Sequence, residues 1–305
     1  MELNKKFNVG LTLDTNRKEF CGFLKDYAPL INQIYFSLPL GQKFHSRLKI
    51  NRQLSNPSTV KLFWDLLETA REFGVKLELA LNTRYLQEGD VCAAAEALER
   101  HGVDVHSVTF LAEYYGLIQR YFPDKDYIYS YNNGANVQAK LRQNTDEYAY
   151  YVVGNCNVRN HGLCAQMKGD GKRVILLLNN GCTFNCPCCS SSVLCKELFN
   201  KNLDKHPVEY LYALQSVMPF ELYDGTVDVA QIDLFKISNR TSDLPYLKKC
   251  IDSYANNETL SYVTKDPKNF ALWGRLEHFW HHFPKMQLAT VLKYKEEILG
   301  HEITL

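Results

Sequence analysis

Val174-Ile175-Leu176-Leu177-Leu178-Asn179-Asn180-Gly181-Cys182-Thr183-Phe184-Asn185-Cys186-Pro187-Cys188-Cys189 is the stretch on which the reading of this chain turns. Five consecutive apolar residues closed by Asn-Asn-Gly have the length and punctuation of a buried strand. Four thiols follow within eight positions, and Cys195 stands six residues further on. A strand that delivers cysteines to its C-terminal tip is building a site.

On both sides of this strand the chain alternates between two hydrophobic periods. Strands are expected at 7–13, 33–38, 75–81, 105–112, 127–131, 149–153, 174–178 and 232–237. Helices are expected between them at 17–27, 60–73, 90–100, 114–122 and 135–141, with Gly74 and Gly102 as stops. Eight strands alternating with helices imply an α/β fold, a closed parallel (β/α)8 TIM-like barrel. An open doubly wound sheet is the alternative, but no glycine fingerprint follows the first strand. The expectation is a single domain over residues 1–305, with a cysteine-bearing insertion after strand 7 at about 182–229 and a C-terminal helical segment at about 268–305. The Gly154–Cys164 stretch after the sixth strand reads as a second insertion, and 208–217 as a helix within the first.

Composition narrows the function classes. A hydrophobic fraction of 46% supports a sizeable core, and a formal net charge of +1 gives no electrostatic case for nucleic acid or an anionic membrane surface. The first residues, Met1-Glu2-Leu3-Asn4-Lys5-Lys6, lack the apolar core of a signal peptide, and no apolar run approaches a bilayer span. A soluble, cytoplasmic protein without membrane contact is expected. In a reducing compartment ten cysteines point to metal ligation or catalysis rather than a disulfide framework. Seven of them, Cys156, Cys164, Cys182, Cys186, Cys188, Cys189 and Cys195, fall within forty positions, whereas Cys21, Cys92 and Cys250 read as small core residues.

In a barrel of this kind the site forms where the strands end. That ring would hold Asp14, Asn82, Glu113, Asn132, Asn133, Asn155, Asn179, Asn180, Lys236, Asn239 and Arg240, an amide-rich set suited to a hydroxylated or carboxylated small molecule. Single asparagines among them can equally cap helices or occupy left-handed turns. The long connection from Gly41 to Ser58, carrying His45, Arg47 and Arg52, is a candidate loop over the rim. The Glu277-His278-Phe279-Trp280-His281-His282 cluster lacks the His-Glu-x-x-His spacing of zinc hydrolases and reads as a helix packed on the barrel. No nucleophile elbow, P-loop or dinucleotide fingerprint is present, so acyl transfer, nucleotide hydrolysis and hydride transfer lack sequence support.

The thiols carry the chemistry. Cys182, Cys186 and Cys189 form C-x3-C-x2-C, and the flanking Asn-Gly-Cys-Thr-Phe-Asn-Cys-Pro resembles the cluster motif of radical S-adenosylmethionine enzymes. Soft thiolates suit a 4Fe-4S cluster. In that family the motif follows the first strand, whereas here about seven strands precede it. A structural zinc is the other metal reading, with Cys186 and Cys189 as its one C-x2-C pair.

A second resemblance accounts for the position. Leu234-Phe235-Lys236-Ile237-Ser238-Asn239-Arg240, followed by Leu244-Pro245-Tyr246 and a helix to Tyr254, is similar to the Phe-Lys-Ile-Glu-Gly-Arg segment and Pro-Glu-Tyr helix of the collagenase-like peptidases, family thirty-two of the unassigned class. Lys236 and Arg240 match, while Ser238 and Asn239 replace the Glu-Gly pair. The resemblance covers mainly residues 127–255.

This resemblance implies the branch of iron-sulfur proteins that hydroxylate without oxygen, rather than proteolysis. It implies a 4Fe-4S cluster on Cys182, Cys186, Cys189 and Cys195, with Cys188 an alternative to Cys189 and Cys156 or Cys164 an alternative fourth ligand. It also implies Lys236 and Arg240 as anion-binding groups. Glu113 joins them as a candidate catalytic residue, and Asn179 and Asn180 as cofactor-binding candidates. The expected activity is oxygen-independent, hydroxylation-like redox chemistry on a small molecule or nucleobase. Alternatives are a divergent radical enzyme using S-adenosylmethionine, and a non-catalytic cluster- or zinc-bearing subunit paired with a second barrel of the same family.

Overall fold

The computed structural model describes residues 5–41, 44, 53–82, 86–130, 147–153, 161–178, 217, 219–237 and 243–258. Its eight strands are β1 (Phe7–Gly10), β2 (Ile31–Phe36), β3 (Lys76–Leu81), β4 (Ser107–Phe110), β5 (Asp126–Tyr129), β6 (Tyr150–Val153), β7 (Arg173–Leu177) and β8 (Leu234–Ile237). They follow one another in chain order around a closed barrel, and every described pairing is parallel. The α/β barrel expected from the alternation is the fold observed. Among the described residues the helices are α1 (Arg17–Tyr27), α2 (Pro57–Glu72), α3 (Glu88–Arg100), α4 (Tyr115–Tyr121), α5 (His161–Gly169) and α6 (Leu244–Asn256).

Contacts between Cα positions divide the chain into two compact units. One carries β1 to β5, nearly all of β6, and α1 to α4. In it each helix start is written locally. Asn16 caps α1 by accepting from the Glu19 N–H at 3.0 Å while the Glu19 carboxylate accepts from the Asn16 N–H, a reciprocal box that satisfies two otherwise orphaned donors. Asn56 caps α2 ahead of Pro57, whose fixed φ and missing N–H suit the first helical position. Gly74 ends that helix at φ 70°, a left-handed conformation costly for any side chain.

The helices then bury one face each. Phe20, Phe23 and Leu24 of α1 and Phe63, Leu66, Leu67 and Ala70 of α2 are buried, each large side chain worth roughly 1.5–3 kcal/mol by area. The Phe36 ring of β2 meets Phe63 edge to face at 5.7 Å, which marks the outer face of that strand.

The other unit carries β7, β8, α5 and most of α6. Ile175 pairs with Leu234 and Leu177 with Lys236, and the ladder continues one step further as the Leu178 N–H donates to the Lys236 carbonyl at 2.9 Å. Asp233 locks its lower end: one carboxylate takes the Lys168 ammonium at 2.7 Å and the Val174 N–H at 2.6 Å. The start of α5 corrects the expectation of an insertion reaching Cys164. His161–Gly169 is the ordinary helix after β6, burying Leu163, Cys164 and Met167 on one face.

The helix expected at 135–141, nearly all of that at 208–217, the terminal segment at 268–305 and the His278–His282 cluster lie outside the described residues.

Candidate functional site

Alternation along a strand decides which side chains enter the barrel. On β2, Gln33 and Tyr35 face away from the side that carries Phe36. Gln33 reaches across the neighbouring strand: its Nε2 donates to Glu78 Oε2 at 2.8 Å, and its Oε1 accepts from the Ser107 hydroxyl at 3.0 Å. Thr109 donates its hydroxyl to Glu78 Oε1 at 2.5 Å. Three strands are thus tied by four inward side chains, and Glu78 itself is fully buried. Burying a carboxylate without partners costs several kcal/mol, so these donors are a condition of its being there.

The same alternation, carried to the C-terminal ends of β1 to β5, puts Thr12, Ser37, Asn82, Thr109 and Ser130 on the inward face. Thr12, Ser37, Thr109 and Ser130 are buried, at 3%, 9%, 1% and 2% exposure. This lip carries hydroxyls and one amide, groups that both donate and accept, beside the buried Leu111 at the β4 end. Sequence reading found Asn82 but missed the others. The one available signal was Glu78, an acid in the middle of the apolar run of β3.

Of the expected site residues, Lys236 lies on β8, 7% exposed. Alternation puts it on the face opposite to Asp233, whose carboxylate turns to Lys168 of α5. Glu113 is exposed in a short 3-10 turn, Ala112–Tyr114, after β4. Asp14 is exposed and accepts from the Gln53 side chain at 2.7 Å, which ties the β1 end to the segment leading into α2. Arg240, Asn179, Asn180, Cys182, Cys186, Cys188, Cys189, Cys195 and Cys156 lie outside the described residues, as do Asn132, Asn133, Asn155 and Asn239.

Cys164 is described. It sits on the buried face of α5, 4% exposed; burial, and secondarily the charge of Asp228, push its thiol up to about 11. A thiol held protonated by an apolar setting is a poor candidate for a metal-bound thiolate. Among the described residues no group of three or more histidines, cysteines or acids is placed to hold a metal ion. No helix of the described residues is long and apolar enough to cross a membrane.

A cluster of aromatic rings lies within the unit that carries β1 to β5. Phe110, Tyr115, Tyr127, Tyr129, Tyr148 and Tyr151 stack or meet edge to face with centroids 5.2–6.2 Å apart. Burial raises the phenols of Tyr129 and Tyr148 well above the ordinary tyrosine range.

No protein-family model matches this sequence. No curated protein matches it either. Among solved structures, a U32 peptidase is similar over 78% of this chain and 94% of its own, at 10% identity and a TM-score of 0.48. A tryptophan synthase α-subunit from Pyrococcus furiosus is similar over 84% of this chain and 99% of its own, at 9% identity and 0.45. An aldo-keto reductase from Bacillus halodurans covers 87% of this chain and 89% of its own, at 11% identity and 0.41. At such identities, and with every TM-score below 0.5, none of these proteins' activities transfers to this chain.

Proposed function

We propose that this chain is an iron-sulfur (β/α)8-barrel oxidoreductase that carries out oxygen-independent, hydroxylation-like chemistry on a small molecule or nucleobase. The observation behind it is the register of β7. Leu178 still pairs with Lys236, and Cys182 follows four residues later in the chain. The thiol-rich stretch therefore leaves the barrel from the C-terminal end of a strand, the end at which (β/α)8 enzymes build their sites.

The donor set fits the cofactor by its chemistry. Cys182, Cys186, Cys189 and Cys195 would hold a 4Fe-4S cluster as four soft, negatively charged sulfurs, and the protonated, buried Cys164 is set aside as a ligand. When bound, such a cluster supplies one-electron transfer. Converting C–H to C–OH with water as the oxygen source releases two protons and two electrons, so each turnover needs two equivalents of a one-electron acceptor as oxidant. The residues of the chain bind and orient: Lys236, buried on β8, offers a positive charge to an anionic substrate group, with Arg240 as its companion. Glu113 stands at the end of β4 as an exposed acid able to take a released proton.

Anaerobically reconstituted protein is expected to be brown and, after dithionite reduction, to give the low-temperature electron paramagnetic resonance signal of a reduced cluster. A colourless protein whose metal is zinc would replace this reading with that of a zinc-bearing subunit.

A further inference from the structure

We propose that Asn82 is a ligand-binding residue whose Oδ1 accepts a hydrogen bond from an N–H or O–H group of a lactam, amide or alcohol seated at the C-terminal edge of β3. The inference deepens the barrel-enzyme reading and rests on it for one thing only, the location of the site at the strand ends.

Three observations carry it. Asn82 is the first residue after β3 and shares a face with Ala80 and Glu78, and Glu78 is fixed as inward-facing by Gln33 and Thr109. Its Oδ1 is fully buried and, among the described residues, takes no hydrogen bond. On the same inward face Leu111 of the β4 end is level with Asn82, while Ser37 of the β2 end and Thr109 of β4 lie one step lower beside Ala80; all three are buried. A buried acceptor without a donor is a standing cost to the fold, so native proteins rarely keep one except where something else supplies the proton. A water in that role needs two to four polar partners. Level with Asn82 on β4 is the apolar Leu111, and directly below it on its own strand face is the Ala80 methyl. An acceptor left without a donor makes a donor group the natural occupant of the spot.

The test uses the full chain and two probes that differ by a single donor, 2-pyridone and its N-methyl derivative, with binding followed by ligand-observed NMR. Wild-type protein is expected to prefer 2-pyridone about five- to tenfold, the worth of one net hydrogen bond. In Asn82→Leu that ratio falls to near one, and the melting temperature stays at or above the wild-type value, because an unsatisfied acceptor has been replaced by a methyl group of similar shape. Equal binding of the two probes, no binding of 2-pyridone by wild type, or a preference surviving in Asn82→Leu overturns the proposal. So does a clear drop in the melting temperature of Asn82→Leu, which would show that the amide is satisfied structurally. Iron content measured on the same preparations keeps this outcome separate from that of the cluster.

Discussion

Gln33 and Glu78, 45 residues apart in sequence, are joined inside the barrel by a 2.8 Å hydrogen bond from Nε2 to Oε2. The bond ties β2 to β3, and through Thr109 and Ser107 to β4, so that these four side chains form one connected network. Removing the acceptor leaves two buried donors without their partner. Glu78→Ala is expected to cost about 3 kcal/mol or more, and the Gln33/Glu78 double-mutant cycle to show coupling of about 1–3 kcal/mol. Urea denaturation of the four proteins checks both figures, and an additive cycle would deny the network.

Cys164 and its alanine variant separate packing from ligation. The folded-state thiol is raised from 9.0 to about 11, so the unfolded chain releases this proton first as pH rises. The stability linked to the protonated thiol is whole below pH 9, declines from there through about pH 11, and is absent from Cys164→Ala. Stability curves of wild type and variant should therefore converge over that window. At neutral pH the variant is expected to keep the full iron content; loss of iron would return Cys164 to the ligand set.

Two tyrosines of the aromatic cluster make opposite predictions. Tyr127 donates its hydroxyl to the Phe122 carbonyl at 2.9 Å, whereas the buried Tyr129 hydroxyl has no hydrogen-bond partner among the described residues. Tyr127→Phe should cost about 1 kcal/mol, and Tyr129→Phe should be neutral or stabilising. Thermal unfolding of the pair decides this, with equal losses contradicting the assignment of the hydroxyls.

Much of the fold was legible because its signals are local. Gly74 and Gly102 stop their helices where a left-handed φ is needed, and the apolar runs of β2, β3 and β7 are strands within a residue or two of the expected bounds. Helix α5 was not legible, since a stretch rich in asparagine and cysteine on its N-terminal side reads as ligand chemistry, and its buried face is only Leu163, Cys164 and Met167. The Gln33–Glu78–Thr109–Ser107 network was hidden for another reason. Its members are brought together only by the register between strands, Glu78 beside Ser107 and Tyr35 beside Glu78, which no single segment encodes. The cysteine stretch is the reverse case, with its chemistry plain in the spacing and its ligands lying outside the described residues.

Iron and acid-labile sulfide, assayed on protein purified and reconstituted without oxygen, test the cluster most directly. The account predicts about four irons and about four sulfides per chain, with both falling to a small fraction in Cys182→Ala, Cys186→Ala and Cys189→Ala and unchanged in Cys164→Ala. Wild-type protein that remains colourless and free of iron and sulfide would contradict it.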